Sequence, residues 1–403
     1  MARWITALFL VVICASNAVA QLATPQQLLT WGQTTYQSTV STLQVPGTAL
    51  YAENASLGGG HSGGDSGFSY VWDASVQIRV LDTLTQINPA TDAPILQSFS
   101  TQLYDKYWNA STGGYRSGVS AGATEFYDDN GHLAVALATA YNVTGNPTYL
   151  NQAKATYSFV RQGMDNVGGG GIYFKVGDFS SKDTATTLQG AHAALLLYQD
   201  TGVQSYLTDA TSLYSWSWNT TQRNDLFYER LYLTGSKAGT IGDYQLINSA
   251  GFALDDAMLL FKATGQATYL TEAENIAAAS IPRYFNATTG AINDEGYWDF
   301  ELANALDDLY KLDRNKTWLN DVNRALDWLD ANRQDPNGHY GTLWGRGGTQ
   351  VGDLSSWDLI DQAAVTQSYL YAYTFAVPEP SSIVLCCVGV VGLFVVGNRR
   401  RQA

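Results

Sequence analysis

Thr144-Gly145-Asn146-Pro147-Thr148-Tyr149-Leu150 returns, little changed, as Thr201-Gly202-Val203-Gln204-Ser205-Tyr206-Leu207 and as Thr264-Gly265-Gln266-Ala267-Thr268-Tyr269-Leu270. A worn fourth copy reads Asp313-Arg314-Asn315-Lys316-Thr317-Trp318-Leu319. Each copy follows an apolar run and precedes an amphipathic one, such as Ala153–Val160 or Val322–Leu329, whose apolar residues recur at three- and four-residue steps. The glycine is expected to end the first helix in the left-handed conformation, and the Tyr/Trp-Leu pair to anchor the second. The unit is a helical hairpin, and repeated hairpins bury their faces against neighbours.

Counting outward from these turns gives twelve helices. Runs with the character of inner helices start near Tyr70, Asp128, Ala185, Asn248, Trp298 and Trp357. Their outer partners fall at Gln26–Thr39, Ala93–Trp108, Pro147–Gly163, Gln204–Trp218, Thr268–Tyr284 and Thr317–Arg333. An open solenoid needs polar caps at both ends. Here the last run is Tyr369-Leu370-Tyr371-Ala372-Tyr373-Thr374-Phe375, which needs cover. The expectation is an all-α (α/α)6 toroid of six hairpins over residues 21–376. Long loops precede the inner helices, at Gly58–Gly67, Gly113–Glu125, Gly168–Thr184, Thr234–Gln245 and Gly338–Ser356, whereas the opposite face carries the short Thr-Gly turns. Loops that exceed structural need on one face carry function, so the N-terminal ends of the inner helices should ring one cleft.

One inner helix starts unusually: Glu125-Phe126-Tyr127-Asp128-Asp129-Asn130-Gly131-His132. A helix start stabilises carboxylates, and the plain reading of an acid pair there is a cap. Aligned on the Tyr/Trp-Leu anchor, Asp128 is level with Ala185, Asn248 and Tyr297, and Asp129 with Thr186, Ser249 and Trp298. Only this repeat offers two acids at that height. Adjacent residues at a helix start place carboxyls about 5 Å apart, the spacing of a nucleophile and an acid/base in retaining glycoside hydrolysis. At an effective dielectric near 20, like charges at that distance repel by about 3 kcal/mol, roughly 2 pKa units, so one acid stays protonated beside an anionic neighbour. Two other pairs, Asp255-Asp256 and Asp307-Asp308, lie two turns into their helices and read as structural or solvated. Aromatic rings suit sugar CH faces, and Trp72, Tyr127, Tyr173, Phe174, Tyr297, Trp298, Trp344 and Trp357 all fall near the expected cleft. With Asp73, Asn130 and Asn248, the residues expected to contact substrate are Trp72, Tyr127, Tyr173, Tyr297, Trp298 and Trp357.

Composition removes other classes. Cys14, Cys386 and Cys387 lie in the terminal segments, so the central domain holds neither disulfides nor thiolate metal sites. The four histidines have no metalloprotease spacing, and His132 and His192 read as packing residues. No phosphate loop or dinucleotide fingerprint is present, and no cofactor or metal is implied. Residues 21–376 carry 18 basic and 35 acidic side chains, a net charge near −17 that repels nucleic acid and suits a neutral ligand.

The termini suggest a compartment. Met1–Ala20 has the charged, apolar and small-residue parts of a secretory signal, with cleavage expected before Gln21. Residues 377–403 run from Val377-Pro378-Glu379-Pro380-Ser381 through apolar Ile383–Gly397 to Asn398-Arg399-Arg400-Arg401. This order resembles the PEP-CTERM sorting signal of bacterial exosortase substrates. The resemblance implies an exosortase-type processing enzyme as partner, transient membrane contact through the apolar segment, and delivery to the surface or medium of a bacterial cell. A fungal glycolipid-anchor signal is the second reading. Six Asn-x-Ser/Thr sequons, among them Asn54 and Asn142, are acceptors only in a eukaryotic route. The domain is expected to be a monomer.

The Tyr127-Asp128-Asp129-Asn130 helix start, the Thr-Gly-x-x-x-Tyr-Leu turns, and Gly169-Gly170-Gly171-Ile172-Tyr173-Phe174 followed by Lys182 resemble glycoside hydrolase family 76, over roughly Trp72 to Phe375. That resemblance implies an (α/α)6 fold and an endo-α-1,6-mannanase-like activity on α-mannan-like polysaccharide. It assigns Asp128 as nucleophile and Asp129 as acid/base, and adds Lys182 and Asp183 to the substrate contacts. The chain departs from the pattern at Asp183, where the family often has Asn. Two further readings are a transglycosidase using the same pair and a non-catalytic carbohydrate-binding surface protein.

Overall fold

The computed structural model describes residues 22–345 and 354–376. The expected signal segment and sorting tail lie outside the described residues. Twelve α-helices are present among them: α1 Pro25–Leu43, α2 Val71–Ile87, α3 Pro89–Tyr107, α4 Tyr127–Thr144, α5 Pro147–Val160, α6 Thr184–Thr201, α7 Gln204–Thr220, α8 Ile247–Thr264, α9 Ala267–Tyr284, α10 Gly296–Asp313, α11 Lys316–Arg333 and α12 Leu359–Ala376. None of them is long and apolar enough to cross a membrane.

The repeated turn works as its chemistry requires. Gly145, Gly202 and Gly265 end α4, α6 and α8 at φ 68°, 67° and 71°, and each amide returns to the carbonyl of the aromatic residue four positions back. Arg314 takes the same left-handed conformation at φ 62° in the worn copy, a strain that glycine avoids. Asn146 and Asn315 then cap α5 and α11 by accepting the amides of Thr148 and Thr317. The outer helix so started is amphipathic: α5 buries Tyr149, Ala153, Thr156, Tyr157 and Val160 on one face.

Helices α2, α4, α6, α8, α10 and α12 each pack on the next, and α12 packs back on α2, closing an inner ring. The fold is an (α/α)6 toroid. Its hairpins are α2–α3, α4–α5, α6–α7, α8–α9 and α10–α11. The sixth pair joins the ends of the domain, because α1 packs chiefly on α12 and not on the helix that follows it. That contact covers the apolar last run, as an uncapped end demands. Inner helices approach closely. A Cβ on Gly251 of α8 would sit 2.7 Å from the backbone carbon of Glu301 in α10, so only glycine allows that spacing.

Short strands tie down the loops over the N-terminal ends of the inner helices. Asn54–Ser56 pairs antiparallel with Ser356–Asp358, and Ser181–Asp183 sits between Ile172–Tyr173 and Arg230–Tyr232. At the other end of the ring each deeper acid pair buries one member, Asp256 and Asp307 at 0% and 1% exposed, while Asp255 and Asp308 are half-buried and line a second cavity. Inner helices bury most of their faces, so distance along the helix from the cleft does not by itself expose a side chain.

Candidate active site

The N-terminal ends of all six inner helices open onto one cleft of about 680 Å³. Helix α2 supplies Trp72 and Asp73, α4 supplies Asp128, Asp129 and His132, and α6, α8, α10 and α12 supply Ala185, Asn248, Trp298 and Ile360. Among the predicted contacts, Trp72, Asp73, Asp183, Asn248 and Trp298 therefore meet the Asp128–Asp129 pair in one place.

Helix α4 does not use its acid pair as a cap. Its cap residue, Phe126, makes no side-chain capping bond, and the first amides, Tyr127 N–H and Asp128 N–H, donate instead to Phe174 C=O at 3.0 and 3.4 Å. The loop thereby takes over the work that Asp128 or Asp129 would do in an ordinary helix start. Asp128 Oδ1 accepts the hydroxyl of Thr186 from α6 at 2.9 Å, and Oδ2 lies 4.0 Å from His132 Nε2. The Asp128 side chain is 16% exposed.

The electrostatics separate the two acids. Burial, then the charge of Asp183, pushes Asp128 up to about 7, against the lowering effect of the Thr186 hydrogen bond. Burial, then the charge of Asp128, holds Asp129 well above the carboxylate range. Burial also raises Asp73, helped by neighbouring Glu53 and Asp129. His132 is pushed down to about 3 by burial and by Arg79, so it is neutral and gives Asp128 no charge. Beneath the floor, His132 Nδ1 lies 3.3 Å from Gln189 Nε2 and 3.9 Å from Glu301, whose carboxylate binds Arg79 at 2.6 Å.

Other predicted contacts are placed away from the cleft lining. Lys182 is fully buried, with Nζ 2.8 Å from Asp165, donating to the Gly163 and Gly171 carbonyls and sitting 3.4 Å over the Tyr173 ring. The Tyr173 hydroxyl donates to the same Asp165 at 2.8 Å. Asn130 is 0% exposed and pairs its amide with both backbone groups of Tyr115. Tyr127 packs on Phe159 at 5.3 Å between ring centres. Tyr297 wedges between Trp72 and Trp298, and Trp357 stacks on His339 at 3.6 Å while donating to Thr42. These side chains brace the wall and the loops. The Trp344 ring is likewise buried, packed against Gly296.

The repeat pattern also misses residues. Glu53, Phe126, Glu229 and Arg230 line the cleft beside the expected Phe174, from the ends of connecting segments and the start of the Arg230–Tyr232 strand. Glu53 accepts the Tyr70 amide at 2.8 Å, which aims it toward Asp73. No periodic signal marks such residues, and they lie outside the long loops that the sequence singles out. Among the described residues no cluster of histidine, cysteine or carboxylate is arranged to hold a metal ion.

Residues 35–301 match the model of glycosyl hydrolase family 76. No curated protein sequence matches the chain. Among solved structures, a family 76 α-mannanase of Bacteroides thetaiotaomicron is 26% identical, with a TM-score of 0.79 over 86% of this chain and 96% of that one. The α-1,6-mannanase of Salegentibacter sp. HEL1_6 is 20% identical and shares the fold, with a TM-score of 0.73 over 86% of this chain and 100% of that one. An inactive variant of that mannanase, with two adjacent aspartates replaced by asparagine, is 19% identical with a TM-score of 0.72 over 86% of this chain and 99% of that one, and was solved with α-1,6-mannotriose bound.

Proposed function

The chain belongs to glycosyl hydrolase family 76, and from that premise we propose that it hydrolyses an α-1,6-mannan-like polysaccharide with retention of anomeric configuration. One observation carries this reading: an acid pair at a helix start that is released from capping and set in the floor of a cleft. The mannan specificity is supported by the α-mannanases that share the fold.

Asp128, ionised and steadied by Thr186, attacks the anomeric carbon. Asp129, held protonated by burial and by its neighbour's charge, gives its proton to the departing glycosidic oxygen. The sugar is left as an ester of Asp128. Asp129, now a carboxylate, takes a proton from water, whose oxygen attacks the same carbon and frees Asp128. Two displacements at one carbon restore its configuration. Trp72 and Trp298 offer ring faces to the sugar, and Asp73, Asp183, Asn248 and Glu53 offer acceptors and donors to its hydroxyls. Six acids face the cleft beside a single arginine, Arg230, which disfavours anionic glycans.

The test is incubation with a panel of α- and β-linked polysaccharides, reading released reducing ends. Product is expected from α-1,6-mannan, and product only from another linkage would overturn the substrate. Early-time NMR of the released sugar should show the retained anomer. Inversion would remove Asp128 as nucleophile and call for a more distant base, with Asp294 and Glu295 the first to replace.

A separate proposal, resting on the terminal segments alone, is that the protein works outside the cytoplasm. Ile383–Gly397 is short of the roughly 20 residues that comfortably span a bilayer, and Arg399–Arg401 favours the cytoplasmic side. Pro378-Glu379-Pro380 then stays outside, within reach of a sorting protease. Intact-mass measurement of native protein is expected to show loss of the residues after about Pro380. A mature species that retains Arg399–Arg401 would make the tail a permanent anchor and leave the glycosidase reading untouched.

A further inference from the structure

Retaining hydrolysis needs Asp128 as an anion, and one neighbouring hydroxyl governs how readily it becomes one. Thr186 Oγ1 lies 2.9 Å from Asp128 Oδ1 and 3.0 Å from Asp183 Oδ1. Thr186 is fully buried, and a hydroxyl has one proton to give. It donates to one carboxylate at a time, and the other then faces a lone pair.

The two claimants differ in what else supports them. Asp183 caps α6, accepts the Thr186 amide at 3.0 Å and has Arg230 at 4.0 Å. Burial raises Asp183, but helix start, amide and guanidinium all favour its charged form without the hydroxyl. Asp128 has no comparable donor: its nearest other partner, His132 Nε2, is 4.0 Å away and neutral. The remaining charged or titratable groups around the pair are Asp129 on α4, Asp73 on α2 with Glu53 beside it, and Glu229 next to Arg230. All but Arg230 are acids, and each acid that is ionised opposes a further negative charge.

Resting on the glycosidase reading, we infer that Thr186 is a positioning residue that commits its one hydroxyl proton to Asp128, while Asp183 opposes the ionisation of Asp128 through the same hydroxyl. The balance between them sets the pH at which the nucleophile becomes available. Thr186 and Asp183 thus act in opposite directions on one group. A purely structural cap would not behave this way.

The experiment follows the carboxyl carbon of Asp128 by 13C NMR through a pH titration, with Asp128→Asn providing the assignment. Thr186→Val, nearly isosteric, removes the donor and is expected to raise the Asp128 midpoint by about one pH unit, the size of a hydrogen bond to a charged group. Thr186→Ser should restore it. Asp183→Asn removes the opposing charge while its carbonyl oxygen keeps the Thr186 amide, so the midpoint should fall by about one unit. Asparagine remains a competent cap, so α6 keeps its start. The acid limb of kcat/KM on an α-1,6-mannooligosaccharide should move with each midpoint, with kcat changing more than KM. Midpoints within about 0.3 unit of the parent in Thr186→Val and Asp183→Asn would overturn the inference. So would a Thr186→Val shift that Thr186→Ser leaves in place. The titration needs no turnover. If no α-mannan yields product, the glycosidase reading falls while the midpoints still decide the Thr186 inference.

Discussion

Asp128→Asn and Asp129→Asn are each expected to lower turnover on α-mannan by about 10³-fold or more while the protein stays folded. The two losses are expected to differ in kind. An amide at 128 cannot form the sugar ester, so no substrate rescues it. An amide at 129 cannot protonate the leaving oxygen, so an aryl mannoside with a dinitrophenolate leaving group should recover its first step, because that group departs without a proton. Near wild-type rates in both variants would remove the pair from the chemistry.

Stability moves the other way. A carboxyl raised in the folded state keeps a proton that the unfolded chain releases, so stability declines as pH climbs from the ordinary carboxyl value near 4 toward the folded one. Asp129 is such a group, raised first by burial. Asp129→Asn should therefore melt at the parental temperature near pH 4 and above it at pH 8. Early melting of both variants at every pH would mean that α4 needs the acids as caps, against the amide bonds to Phe174.

Arg79→Leu is expected to destabilise the fold by about 3 kcal/mol or more, read from the midpoint of urea unfolding. Arg79 on α2 binds Glu301 on α10, second neighbours in the inner ring, at 2.6 Å, with the two side chains 17% and 3% exposed. Removing the guanidinium leaves a buried carboxylate beside neutral His132 with no cation to offset its desolvation. Replacing both, as Arg79→Leu with Glu301→Met, should recover much of the loss, since breaking a buried pair costs more than deleting it. A single-variant loss under about 1 kcal/mol would show that the pair does not tie the ring together.

The toroid was legible in the chain because its determinants are local. A residue at positive φ, glycine in three of the four turns, and an aromatic-Leu anchor mark a hairpin within seven residues, and the spacing of those turns lets the remaining helices be counted outward. The same count fixed height: it set Asp128, Ala185 and Asn248 level at helix starts, and all three reach the cleft. Closure was not local. That α1 covers α12, residues more than 300 positions apart, follows from which apolar faces remain uncovered once the other hairpins are stacked. Direction around each helix was not local either. Lys182 and Asp183 are neighbours in one strand, yet alternation turns the lysine into a buried contact with Asp165 and the aspartate toward Thr186 and the cleft. Glu53 and Arg230 come from loop and strand positions with no repeat to announce them. Sequence periodicity determined how far along the axis each side chain lies. Only packing of distant segments decided which of them face the lumen and which acids lie within reach of the Thr186 hydroxyl, because those depend on neighbours that the local chain does not contain.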